Sequence, residues 1–193
     1  MTITAVLVAA ALQSASLAPR WPAGAPILVW VDMTAAPAGA GALVERALAR
    51  WSESVPGRIT LTRTREKADG MIRVRFASGG NGVYGEAAPR IDPHTGAIVA
   101  ADVVIATDTA GDDPLTRQIV IYLTALHEIG HAIGLRHTDT FTDIMYRFQR
   151  PDDGERYFMA YRRRLRSAND VGSAQVTGLS ADDLAAVRRL YDR

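Results

Sequence analysis

The run His127-Glu128-Ile129-Gly130-His131-Ala132-Ile133-Gly134-Leu135-Arg136-His137 constrains this chain more than any other stretch. On a helix, residues four apart share one face, so His127 and His131 can aim ring nitrogens at a common point about 2 Å from each. Glu128, beside the first of them, is placed to act on a water held at that point. Gly134 permits a positive φ, which ends the helix and turns the chain so that His137 can approach from another direction. Three imidazoles leave the fourth position of a tetrahedral zinc open, the mark of a catalytic rather than a structural site. The chain has 4 histidines and three of them lie here. Without a metal, these rings would need hydrogen-bonding partners that the segment itself does not offer.

The rest of the chain is suited to one packed domain around that site. With 193 residues, 48% hydrophobic and 22% charged, it can bury a sizeable core. A net charge of +1 gives no electrostatic reason to expect nucleic acid. The absence of cysteine excludes disulfides, thiolate metal sites and a cysteine nucleophile. Ile3–Leu12 is apolar but far short of the roughly 20 residues that span a bilayer. It reads as a signal-peptide core, with Ser16 and Ala18 as the small residues for cleavage after Ala18. No Lys or Arg precedes the run, and an uncleaved apolar strand or helix is the alternative. Residues 1–18 are therefore read as a signal peptide and 19–26 as a linker, which makes the protein secreted or periplasmic. No integral membrane span is expected, and a monomer is.

Periodicity supplies the elements. Ile27–Val31 reads as a strand, Gly39–Ser54 as a helix with Val44, Ala47, Leu48 and Trp51 on its apolar face, and Ile59–Thr64 and Met71–Phe76 as half-buried strands. Gly79–Gly82 is a turn. Val83–Ala88 reads as an edge strand that Pro89 closes, and Ile98–Thr107 as the last strong strand. Asp113 and Pro114 suit the N-cap and first position of the histidine helix, which buries Leu115, Ile119, Tyr122, Leu123, Leu126 and Ile133. Ser180 caps a last helix with Leu184, Val187, Leu190 and Tyr191 as its stripe. Between these, Gly154–Ser167 reads as an amphipathic helix with Phe158, Tyr161 and Leu165 inward and arginines in water.

The histidine run resembles the HExxHxxGxxH signature of the metzincin metallopeptidases, and Asp143-Ile144-Met145-Tyr146 lies where that clan has its methionine turn. Thr138 after the third histidine and the Met145-Tyr146 pair make the likeness closest to a bacterial-type matrixin catalytic domain, over about residues 27–193. The resemblance implies an α+β, metzincin-like zincin domain: a mixed twisted sheet with an active-site helix, a helix in the N-terminal half and a C-terminal helix. It implies a zinc-dependent endopeptidase acting on extended protein or peptide substrates. One catalytic Zn2+ would sit on His127, His131 and His137, with Glu128 as general base and Met145 as a hydrophobic floor beneath the metal. It also implies that the chain after the methionine turn walls a specificity pocket. Arginines among Arg147–Arg166 would then favour acidic side chains just after the cut, the alternative being a solvated basic face.

Two departures accompany the resemblance. Many matrixins are restrained by a cysteine switch, which a chain without cysteine cannot have. Vertebrate-type relatives hold a structural zinc on three further histidines and an aspartate. Here His94 alone is left, so no structural zinc is expected and His94 reads as a turn residue. Calcium stays open: Asp92, Asp102, Asp108, Asp112 and Asp113 have no defined loop spacing and read as caps and turns. Two rival readings keep the zinc. One takes Glu155, 24 residues after His131, as third ligand in a gluzincin-like peptidase. The other is a non-catalytic, zinc-stabilised binding domain, which would have no use for Glu128.

Overall fold

The computed structural model describes residues 18–79, 83–108 and 113–192. The proposed signal peptide up to residue 17 and most of the glycine-rich turn lie outside these. Five strands, β1 (Ile27–Val31), β2 (Leu61–Thr64), β3 (Ile72–Ala77), β4 (Gly85–Ile91) and β5 (Ile98–Ala106), form one sheet in the order β2-β1-β3-β5-β4. All neighbours pair parallel except β4, which runs antiparallel to β5. Four helices, α1 (Ala40–Ser54), α2 (Pro114–Ala132), α3 (Asp153–Arg162) and α4 (Ala181–Tyr191), complete an α+β fold with a mixed sheet. Among the described residues, no helix is long and apolar enough to cross a membrane.

The core joins the sheet to α1 and α2. Val29, Ile72, Val74, Val103 and Ile105 are buried in the sheet, and Val44, Ala47, Leu48 and Trp51 are buried on α1, the face that the periodicity marks. On α2 the buried residues run from Ile119 to Ala132 with few breaks, because that helix is covered by α1, β4, β5 and α3. Its start is the expected one: Asp113 accepts the N–H of Thr116 at 2.9 Å, and Pro114 takes the first helical position. Trp51 Nε1 donates to Leu126 O at 2.8 Å and so pins α1 to α2.

Residues 19–26, expected as a linker, begin as a docked segment. Trp21 is buried and donates from Nε1 to Ala132 O at 2.9 Å, in the last turn of α2. Tyr191 of α4 donates from its hydroxyl to Ile133 O at 2.8 Å. Two orphan carbonyls at the C-terminal end of α2 are thus satisfied by side chains from the two ends of the chain.

The edge strand is shifted from its expected range. Pairing runs from Gly85 to Ile91, through Pro89, instead of ending at Ala88. The reason is register. Ala106 N–H donates to Tyr84 O, so by antiparallel alternation Tyr84, Glu86 and Ala88 bond β5, while Gly85, Ala87 and Pro89 turn their backbone groups outward. Pro89 lacks an N–H only on the free side, where β5 does not need it.

The basic segment also differs. α3 ends at Arg162 rather than running to Ser167, because the carboxylate of Asp170 accepts the N–H groups of Arg166 and Ser167 at 2.8 Å each and holds a short 3-10 turn there. Phe158 and Tyr161 are buried, as their spacing predicts, and Leu165 is partly so.

Candidate metal centre and active site

α2 carries His127, Glu128 and His131 into a cleft beside β4, and ends there as required. Gly134 has φ 102°, the positive value that the motif glycine was expected to supply. An added Cβ would also come within 2.2 Å of Pro19 O, so the docked N-terminal segment needs this glycine too. The reversed chain brings His137 back to the helix. His137 Nε2 lies 3.3 Å from His127 Nε2 and 3.1 Å from His131 Nε2.

The opposite ring nitrogens fix the tautomers. His127 Nδ1–H donates to Ile144 O at 2.6 Å, and His131 Nδ1–H donates to Leu135 O at 2.9 Å; carbonyls can only accept, so each Nε2 presents a lone pair to the centre. Burial pushes the pKa of His127 down to about 4 and lowers those of His131 and His137, which favours neutral rings. Converging neutral lone pairs repel unless a cation lies between them. Three nitrogens on a tetrahedral zinc at 2.0–2.1 Å would be about 3.4 Å apart, close to the spacing found. The donor set therefore fits zinc. Among the described residues these three histidines form the group that could hold a metal ion.

Glu128 is buried, and burial, followed by the nearby charge of Glu86, pushes its pKa up to about 8. A dication at the histidine cluster would act the opposite way. Gly85 leaves room for this carboxylate: a Cβ there would come within 2.9 Å of Glu128 Oε1.

Met145 packs against Gly130 of α2 with almost no exposed surface. Its turn is closed by hydrogen bonds from Thr138 N to Met145 O at 2.8 Å and from Arg147 N to Thr138 O at 3.0 Å. The space it fills exists because residue 130 is glycine; a Cβ would come within 2.5 Å of Met145 Sδ. Glu155 takes no part. It is exposed on α3 and borders a separate depression with Thr116 and Met159, outside the metal group, so the gluzincin-like ligand assignment is not met.

Some contributors escape a reading by spacing. Asp183 on α4 accepts the N–H of Ile144 at 2.8 Å, and Asp143 accepts the hydroxyl of Ser180 at 2.8 Å, so two buried carboxylates tie the methionine turn to the last helix. Asp153 accepts Tyr146 Oη–H and the N–H of Gln149 at 2.8 Å each, which fixes the chain after the turn. Locally, Asp183 reads as the third residue of a capping box at Ser180 and Asp153 as an acidic residue in the first turn of α3. Of the other carboxylates, Asp92 accepts from His94 and Thr95 and Asp108 from Gly79, while Asp102 is exposed in the middle of β5 rather than in a turn and Asp112 lies outside the described residues. His94 is exposed in that turn.

A cavity of about 400 Å³ opens beside His127 and Glu128. Its walls are Tyr84, Leu123, Ile144, Tyr157 and Phe158, with Arg147 among its lining residues. The segment after the methionine turn does wall it, but with aromatic rings. Arg162 instead bonds Asp113 and Thr116 across to α2, and Arg164 stacks over Tyr161.

Comparison with family models matches residues 32–160, more than half of the chain, to the matrixins. The chain belongs to the matrixin family. The match begins just after β1 and ends within α3; it includes all three histidines, Glu128 and Met145, while α4 lies beyond it. Comparison with individual curated proteins finds no match. Matrixins are zinc-dependent endopeptidases, so this matrixin is a metalloendopeptidase and its substrates are proteins.

Proposed function

We propose that His127, His131 and His137 hold one catalytic zinc and that Glu128 is the general base for hydrolysis of an extended peptide laid along the free edge of β4. The observation that carries this reading is the convergence of three Nε2 atoms, two of them on rings whose Nδ1 is engaged by a backbone carbonyl, beside a buried carboxylate. When bound, zinc polarises a peptide carbonyl and lowers the pKa of water toward about 7. Glu128 takes the proton of the attacking water on a carboxylate oxygen and passes it to the nitrogen of the departing amine. Its burial strengthens both transfers by keeping bulk water from competing for that oxygen.

The backbone groups of Gly85 and Ala87 that face away from β5 give the substrate a short ladder, and Pro89 ends it, having no N–H to offer. The adjoining aromatic cavity takes the side chain that follows the cut. The domain begins at residue 27 with the docked segment around Trp21 ahead of it. The preceding apolar run is a signal peptide that exports the enzyme.

The test is cleavage of denatured casein by the purified protein, with and without a chelator, in the parent and in Glu128→Ala. Turnover should need zinc and fall at least about 10²-fold in the variant while its zinc content stays. Near-parent turnover in Glu128→Ala overturns the assignment of the base.

A further inference from the structure

The edge strand carries a carboxylate that this chemistry leaves unused. Glu86 is exposed, and its side chain has no hydrogen bond or ion pair among the described residues. Arg75 stands in register with it two strands away, across Val104, and forms no ion pair with it. Glu86 directly follows Gly85, the residue that Glu128 lies against.

Its place on the strand fixes which part of a substrate it can meet. Gly85 faces α2 and lies against Glu128, so by alternation Glu86 stands on the opposite, outer face of the sheet. A peptide added to the free edge extends that outer face by one strand. The residue directly opposite Glu86 has its side chain on the same face, with Cβ atoms about 4.5–5.5 Å apart. The backbone of Glu86 bonds β5, so towards an added strand it occupies a non-hydrogen-bonded position, where opposed side chains approach most closely. Antiparallel addition is slightly the more stable and runs the substrate backward along β4. Since Glu128 lies at Gly85, moving to Glu86 moves toward the N-terminal side of the bond to be cut.

We propose that Glu86 selects substrates carrying Lys or Arg one or two residues before the scissile bond, by pairing with that side chain across the added strand. This rests on the reading of the β4 edge as the substrate-binding edge. A carboxylate at the same substrate position would face Glu86 and be repelled.

The test uses the zinc-loaded full chain and quenched fluorescent peptides with a common cut site and Lys, Gln or Glu at each position around it. At low salt the Lys-to-Glu ratio of kcat/KM should be roughly fivefold to tenfold at the facing position, shrinking as salt rises. Glu86→Gln should bring the ratio close to one and Glu86→Lys should invert it. Zinc-dependent turnover whose Lys-to-Glu ratio is the same in Glu86→Lys overturns the inference alone. A charge preference that follows residue 86 but lies after the cut overturns it as well, since it contradicts the antiparallel placement. Absence of zinc-dependent turnover on every peptide overturns the parent reading of the site, and this inference with it.

Discussion

Asp183 and His127 are joined through a single residue: Ile144 donates its N–H to Asp183 Oδ2 at 2.8 Å, and its carbonyl accepts His127 Nδ1–H at 2.6 Å. The last helix thereby sets the orientation of a ring in the histidine cluster. Such outer partners hold a ligand's tautomer and raise its basicity, and their loss typically weakens metal binding 10- to 100-fold. Asp183→Ala should show that loss in competition with a chromogenic chelator. It should also lower stability by about 1–3 kcal/mol in urea denaturation, since the buried N–H of Ile144 loses its acceptor. Zinc affinity equal to the parent would show that Ile144 holds His127 without help from α4.

This link explains where a reading of the sequence succeeds and where it stops. The histidine helix, its Asp113 cap, the turn at Gly134 and the apolar faces of α1 and α4 are local patterns, each set by neighbours a few residues away. Asp183 satisfies a capping box at Ser180 and the methionine turn at once, and only the first is visible locally. Trp21 gives no sign in sequence that it will meet Ala132. Likewise, the arginines after the turn read as a solvated face by spacing or as a pocket wall by resemblance, while Asp113 and Tyr161 determine where Arg162 and Arg164 go.

Gly130 and Met145 give a second test, of packing instead of hydrogen bonding. Gly130→Ala puts a methyl group where Met145 Sδ would be 2.5 Å away and Trp51 Cζ2 3.2 Å away. Overpacking of this kind costs about 1–3 kcal/mol. Met145→Ala removes the obstructing atoms, so the double variant should be less destabilised than the sum of the two single changes. Thermal or urea unfolding of the four proteins measures this, and additive losses would mean that Met145 does not limit the space at residue 130.

The acid response follows from the histidines. Burial holds the pKa of His127 at about 4 and those of His131 and His137 below the usual value of 6.5. Between these values the unfolded chain binds more protons than the folded one, so stability is present above pH 6.5 and is lost as pH falls toward 4. Protons compete with zinc for the same Nε2 atoms, so metal should leave over the same range. Zinc retained after dialysis at stepped pH, read beside denaturation midpoints of the metal-free protein, checks both. The buried Glu128 carboxyl, with its pKa pushed up to about 8, titrates in the opposite sense, so the metal-free measurement is made in Glu128→Gln; stability flat from pH 7 to pH 5 in that variant would contradict the burial of these rings.

The side chain after the cut should be chosen by the aromatic cavity and not by the triple-arginine stretch. Tyr84, Leu123, Ile144, Tyr157 and Phe158 line about 400 Å³, room for a large apolar side chain, and Tyr84 is held against Phe158 with ring centroids 4.9 Å apart. Burying such a side chain contributes about 1.5–3 kcal/mol over leaving it in water, or roughly 10- to 150-fold in kcat/KM against Gly. Arg162 is occupied by Asp113 and Thr116, and Arg164 by Tyr161. Of the basic residues after the methionine turn, Arg147 is the one that lines the cavity, where it also pairs with Asp139 at 3.6 Å. Peptide libraries cut by the parent should therefore give Leu, Met or Phe just after the scissile bond. Replacing Arg162, Arg163 and Arg164 together by Gln should leave that preference in place, while Phe158→Ala should widen it. A switch toward or away from Asp and Glu in the triple variant would restore the arginines as walls of the pocket.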